Sequence, residues 1–222
     1  MQTQLSLNQS VLVKDEVSTR SIQQAVETML RSVTEDKVSN FIYESTIPLD
    51  VCDQLIDFYH TSEEFEKRSG QISNIAGSNP DHKESIDLSI PINYAKFDQR
   101  LDNYFVLLHQ SFLSFFEKYK QAELPSVISN VFNIQWYPPN GGYKIWHFER
   151  TNQKHSRKRH LVWMTYLTDN PDGGTEFYFQ DLYIPAEKGK TIIWPAEWTH
   201  THKGRVDSNL EKMIITGWME FK

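Results

Sequence analysis

The hydrophobic rhythm of the chain changes near Pro125. Before it, apolar residues return every three or four positions; after it, every second one. Residues 1–17 are polar and unpatterned and read as a loose lead. Ile22, Ala25, Val26, Met29, Leu30 and Val33 then fall on one helical stripe, with Ser18 or Thr19 as its cap. FIYES (41–45) predicts a short strand. PLDVCDQLIDFYHTS predicts a helix with Val51, Leu55, Ile56 and Tyr59 on one side. Residues 69–93 hold Gly70, Gly77, Pro80 and Pro91 and read mostly as loop. A longer helix carries Phe97, Leu101, Tyr104, Phe105, Leu108, Phe112 and Phe115 and ends near Tyr119.

The second half predicts strands at 130–137, 143–149, 160–168, 174–180, 182–185, 190–195 and 211–220. PPNGG (138–142), DNPDGG (169–174) and EKGK (187–190) punctuate them. Many short strands broken by Gly and Pro argue for a β-sandwich or jelly roll. The expected fold is mainly β, with N-terminal helices buttressing one sheet. The expected division is an N-terminal extension, residues 1–40 (the loose lead and one amphipathic helix), and one domain, 41–222.

Composition narrows the picture. The 222 residues suffice for one sizeable core, and 39% apolar with 23% charged residues fits a soluble globular chain. No apolar run approaches the roughly 18–20 residues that span a bilayer, so no membrane partner is expected. No basic start followed by an apolar block marks a secretory signal. The single cysteine, Cys52, points to a reducing, cytoplasmic compartment. A net charge of −6 disfavours bulk nucleic-acid binding. Oligomeric state is not legible. Aromatics reach 13% and crowd the second half, as packed β faces or a lined pocket require.

KIWHFER (144–150) carries the chemistry. On a strand His147 and Glu149 point the same way, while Trp146 and Phe148 take the other face. An imidazole beside a carboxylate can bind a metal or form a hydrogen-bonded pair. IIWPAEWTHTHKGRV (192–206) adds His200 and His202, again on one face of a strand. Two imidazoles and a carboxylate make a facial triad suited to non-haem Fe(II), with coordination positions left open.

In order, Tyr137, PPNGG, His147, Glu149, MTYLTD with Tyr166, GGTEF (173–177), TIIWP (191–195) and His200, five beyond Pro195, follow one another. Lys212 in EKMIITGWMEF closes the series. From about Asn130 onward this resembles the Fe(II)- and 2-oxoglutarate-dependent dioxygenases, in particular their small prolyl-4-hydroxylase-like branch; FIYESTIPLDVCDQLIDFY resembles the family's entry strand and first helix more faintly. The resemblance implies a double-stranded β-helix. It implies Fe(II) held by His147, Glu149 and His200, with His202 the alternative third ligand. It also implies 2-oxoglutarate anchored by Lys212 (Arg205 the alternative cation), with Tyr137 and Tyr166 touching its carboxylates. O2 would be the second co-substrate. Glu149 stands where the family usually has aspartate.

The implied activity is hydroxylation of an unactivated C–H bond in a peptide, protein or small-molecule substrate, prolyl by analogy. A cupin-like jelly roll using His147, Glu149, His200 and His202 as four ligands, without 2-oxoglutarate, is the alternative. A non-catalytic binding module of the same fold is the third reading. The loop TNQKHSRKRH (151–160) is a local basic cluster, read as a solvated hairpin or a substrate-guiding lid.

Overall fold

The computed structural model describes residues 40–71 and 79–222. The helix expected from Ser18 lies outside these residues. Strand β1 (Tyr43–Thr46) leads into helix α1 (Leu49–Thr61), followed by β2 (Lys67–Ser69), β3 (Lys83–Glu84), β4 (Ile86–Pro91) and helix α2 (Gln99–Lys118). The remainder is strands: β5 (Ser126–Ile128), β6 (Val131–Tyr137), β7 (Gly142–Tyr143), β8 (Arg159–Tyr166), β9 (Asn170–Phe177), β10 (Leu182–Ala186), β11 (Lys190–Pro195), β12 (His202–Gly204) and β13 (Lys212–Phe221). Phe41–Lys222 forms one compact unit. Among the described residues no helix is long and apolar enough to cross a membrane.

The main sheet runs β1-β11-β8-β13-β6-β4-β2, with β5 added beside β13. A smaller sheet, β10-β9-β12, covers part of one face. Period-two alternation gives the strands of the main sheet two different faces. Leu88, Ile90, Phe132, Ile134, Leu161, Trp163, Ile193, Met213 and Ile215 point to the helices. There they meet Val51, Leu55 and Phe58 of α1 and Leu101, Tyr104, Leu108, Phe112 and Phe115 of α2. Burying each such side chain contributes about 1.5–3 kcal/mol. Val162, Met164, Tyr166, Ile192, Trp194 and Ile214 point the other way and meet Phe177, Ile184 and Ala186 of the smaller sheet. Two sheets enclosing a second core, with helices behind one of them, is the jelly roll that the sequence predicts.

Local chemistry sets the boundaries. Asp98 caps α2, its carboxylate accepting from the Arg100 backbone N–H at 3.0 Å. Phe97, assigned to the helical stripe, instead ends a 3-10 turn (Ile92–Phe97) before the cap and is 73% exposed. The EKGK turn holds Gly189 at φ +86°, where a Cβ would sit 2.7 Å from the Ile47 carbonyl oxygen.

Three expected boundaries fall elsewhere. Residues 86–91 are not loop but β4, paired with β6 over six positions. Pro91 is its last residue, where a missing N–H breaks no interior rung. Strand β9 begins at Asn170, inside the predicted DNPDGG turn. Of the expected strand 143–149 only Tyr143, the second residue of β7, is regular strand; beyond it the chain touches β12 through one bridge, His147 to His202.

Candidate active site

A cavity of about 1020 Å³ opens on the face of the main sheet away from the helices. Its wall follows from the alternation: Asn133, Gln135 and Tyr137 of β6, Val162, Met164 and Tyr166 of β8, and Lys212, Ile214, Thr216 and Trp218 of β13. Asp87 and Ser89 of β4 extend the same face.

His147 and Glu149 lie in this cavity, and the chain brings them together with His202. One ligand atom from each lies within 4.8 Å of the others. Glu149 Oε1 is 3.4 Å from His147 Nε2 and 3.8 Å from His202 Nε2. The backbone sets both rings. His147 Nδ1 lies 3.0 Å from the Ile145 carbonyl oxygen, and His202 Nδ1 lies 2.8 Å from that of His200. A carbonyl only accepts, so each Nδ1 carries a proton and each Nε2 is the nitrogen turned toward Glu149. His147 stacks on Tyr143 with ring centroids 3.6 Å apart, and His202 packs against Phe177 and Trp194.

His200 is not part of this group. Counting from Pro195 assumes that the strand continues, but the chain turns through a 3-10 helix, Trp198–His200, before β12 starts at His202. The ring of His200 is buried beside Thr199 Oγ1 at 3.1 Å, and its carbonyl orients the His202 ring. The four-ligand arrangement, which needs His200 and His202 together, is not formed.

Burial alone would raise the Glu149 carboxyl. His147, Arg159 and His202 outweigh it and hold the group well below the ordinary carboxylate range. Burial, reinforced by His147, lowers His202 to about 3, so its imidazole stays neutral. An ionised carboxylate and a neutral imidazole are the states a metal requires of its ligands. Two nitrogens and one oxygen on neighbouring edges suit an ion that keeps coordination positions open.

Lys212 opens β13 and is 5% exposed. Its ammonium donates to the Gly173 carbonyl and lies 5.1 Å from the centre of the Tyr137 ring. Among the described residues no carboxylate forms an ion pair with it, although ten other lysines and arginines are so paired. Burial lowers it to about 8. A buried cation without a counter-charge, in a cavity, is a fit for an anionic ligand. Tyr166 hydroxyl pairs with Thr175 Oγ1 at 2.7 Å, and Tyr137 hydroxyl donates to Gln135 Oε1 at 2.7 Å. Burial raises both phenols, Tyr137 further through Asp87, so both stay protonated as donors. The alternative cation, Arg205, is exposed and paired with Glu176 at 2.5 Å. Trp194 Nε1 and Arg159 Nε are buried donors without a partner among the described residues, and both residues line the cavity.

Residues 132–220 match the family model described as the 2OG-Fe(II) oxygenase superfamily. This region is a 2OG-Fe(II) oxygenase domain. No curated protein matches the chain in sequence. The oxygenase fold is shared with solved structures at low identity. A prolyl-4-hydroxylase from Pseudomonas putida aligns at TM-score 0.60 and 15% identity, over 86% of this chain and 98% of that one. The viral collagen prolyl hydroxylase of Paramecium Bursaria Chlorella virus-1, in its 2OG complex, aligns at 0.60 and 16%, over 82% and 97%. A Trichoplax adhaerens prolyl hydroxylase, in complex with a hypoxia inducible factor peptide fragment, aligns at 0.60 and 15%, over 89% and 91%. The cofactor set of the oxygenases is Fe(II), 2-oxoglutarate and O2, and the cavity holds both a carboxylate beside two imidazoles and a buried ammonium, groups that fit it.

Two features of the oxygenase site escaped the sequence. Lys83 is a buried cavity residue, paired with Asp87 at 2.6 Å, and Asp87 also accepts from Ser85 and Gln135. Arg159 donates to Glu149 Oε2 at 2.7 Å. Straight alternation from Leu161 and Trp163 sends Arg159 to the helix side. An irregularity between Met219 and Glu220 skips His160 and turns Arg159 into the cavity. Thr151, Gln153, His155 and Ser156 of the basic loop also line the cavity.

Proposed function

We propose that the chain hydroxylates an unactivated C–H bond of a peptide or protein substrate, prolyl in the leading case, with Fe(II), 2-oxoglutarate and O2. One observation carries the reading: His147, Glu149 and His202 offer three ligand atoms within 4.8 Å, in the same cavity as a buried ammonium without a carboxylate. Iron with 2-oxoglutarate and O2 supplies the oxidising power, with succinate and carbon dioxide as by-products.

The chain's own residues do the rest. His147 Nε2, His202 Nε2 and a Glu149 oxygen hold the metal and leave its other positions free. Lys212 pairs with the distal carboxylate of 2-oxoglutarate, and the Tyr166 and Tyr137 hydroxyls help it on turning from their present partners, Thr175 and Gln135. Val162, Met164, Ile214 and Trp194 give that part of the cavity apolar walls that exclude water. The lining also includes the exposed Glu66 and Arg68 and the half-buried Asn133, polar groups suited to a peptide backbone. The peptide complex of the Trichoplax relative and the collagen substrate in the name of the viral one support a polypeptide as substrate. A single, buried cysteine supports a reducing, cytoplasmic setting.

The test is succinate release from 2-oxoglutarate with added Fe(II), together with gain of one oxygen atom by a prolyl peptide. Wild type and His200→Ala are expected to turn over, and His202→Ala is not. Equal turnover by wild type and His202→Ala would reject the metal assignment. Succinate without peptide oxidation would reject the prolyl substrate alone.

A further inference from the structure

Glu149 has one more rotatable bond than the aspartate usual in this family. That freedom lets a carboxylate swing off a metal, or grip it with both oxygens and consume a position meant for co-substrate. In this chain the two oxygens have separate partners. Oε1 faces the two imidazoles, at 3.4 and 3.8 Å. Oε2 accepts from Arg159 Nη1 at 2.7 Å and from Trp218 Nε1 at 3.0 Å. The same Nη1 reaches the Glu149 backbone oxygen at 3.2 Å, so Arg159 holds the residue at both its ends. The guanidinium itself is fixed, lying 3.6 Å from the centre of the Trp218 ring. The β-strand irregularity that turns Arg159 inward is what makes the contact possible.

We propose that Arg159 and Trp218 form a two-donor clamp that keeps Glu149 a one-oxygen ligand, and that this clamp is what makes glutamate workable at the position. Arg159 is thus a positioning residue, acting on the metal through Glu149. The inference rests on the metal reading given above. Hydrogen-bond partners of metal ligands commonly change metal affinity by about 10–100-fold.

The experiment is calorimetric titration of the full chain with Mn(II), without 2-oxoglutarate, which reads affinity independently of turnover. Arg159→Gln is expected to weaken Mn(II) binding by about 10–100-fold and Trp218→Phe by several-fold. Glu149→Asp shortens the side chain by one methylene, so its carboxylate cannot reach both the metal and the clamp. In that background Arg159→Gln is expected to change affinity little, giving a non-additive cycle. Wild-type affinity in folded Arg159→Gln, or an additive cycle, would overturn the clamp. If Arg159→Gln does not fold, Trp218→Phe decides, and unchanged affinity there overturns it equally. Wild type that takes up no Mn(II) would overturn the metal reading and the clamp together.

Discussion

The two faces of the main sheet are built from alternate residues of the same strands and do opposite work. On β8, Leu161 and Trp163 face the helices, while Val162, Met164 and Tyr166 face the cavity. On β13, Met213 and Ile215 face the helices, while Lys212, Thr216 and Trp218 face the cavity. The helix side is apolar and densely aromatic: Trp163 meets Tyr104, Phe105 and Phe132 with centroids 5.8–6.5 Å apart. The cavity side holds a buried ammonium with no carboxylate partner among the described residues, a buried Lys–Asp pair and a carboxylate between two imidazoles. Stability is invested on one face; on the other, the buried Lys212 ammonium has no carboxylate partner among the described residues, a cost that an anionic ligand would offset.

Substitutions on the two faces should therefore differ in kind. The largest effect is expected from His202→Ala, with a loss in kcat/KM of at least about a thousandfold and little change in thermal midpoint, since removing a metal's contribution costs several kcal/mol of transition-state stabilisation. His200→Ala stays within a few-fold in the same assay. Trp163→Ala, on the helix side, should lower unfolding free energy by about 3–5 kcal/mol in denaturant titrations. Metal affinity of the molecules that remain folded should be unchanged.

Lys212→Met sharpens the contrast because its two effects oppose one another. It should weaken 2-oxoglutarate binding by at least about 30-fold, the loss expected when one member of a buried charge pair is removed. It should also stabilise the apo protein at neutral pH. Burial shifts Lys212 from 10.5 to about 8, which corresponds to roughly 3 kcal/mol of penalty on the charged form. Between about pH 8 and 10.5 the unfolded chain binds the extra proton, so wild-type stability rises with pH there and the advantage of Lys212→Met shrinks. Affinity of the wild type for 2-oxoglutarate runs the opposite way and falls as pH rises beyond about 8. A parallel fall in Lys212→Met would disprove that origin. The smallest effect belongs to the helix side: Asp98→Ala removes the α2 cap and should cost about 1 kcal/mol, with no change in either ligand's affinity.

Much of this was legible in the residues, and the rest was hidden for identifiable reasons. Helices α1 and α2 carry apolar stripes at helical spacing, and β6, β11 and the paired stretch of β8 and β13 short of Glu220 alternate, so their existence and faces followed from periodicity. Strand β4 was masked by Pro91, a breaker inside a sheet but harmless at a strand end. The neighbourhood of His147 and Glu149 was readable because only one residue separates them, although the chain there is held by a single bridge to His202 and Trp146 and Phe148 line the same cavity.

Local pattern alone therefore determined a helix-buttressed β fold, the pair His147–Glu149 and a lysine opening the last strand, since each depends on spacing over a short run of consecutive residues. Which histidine completes the cluster, and which arginine reaches the carboxylate, was decided only in three dimensions. A 3-10 turn carries His200 away and presents His202, and a β-strand irregularity reverses Arg159; each shifts the chain by a residue or two. Such shifts leave composition and rhythm untouched, yet they decide which side chains meet, because a one-residue slip exchanges the two sides of a strand.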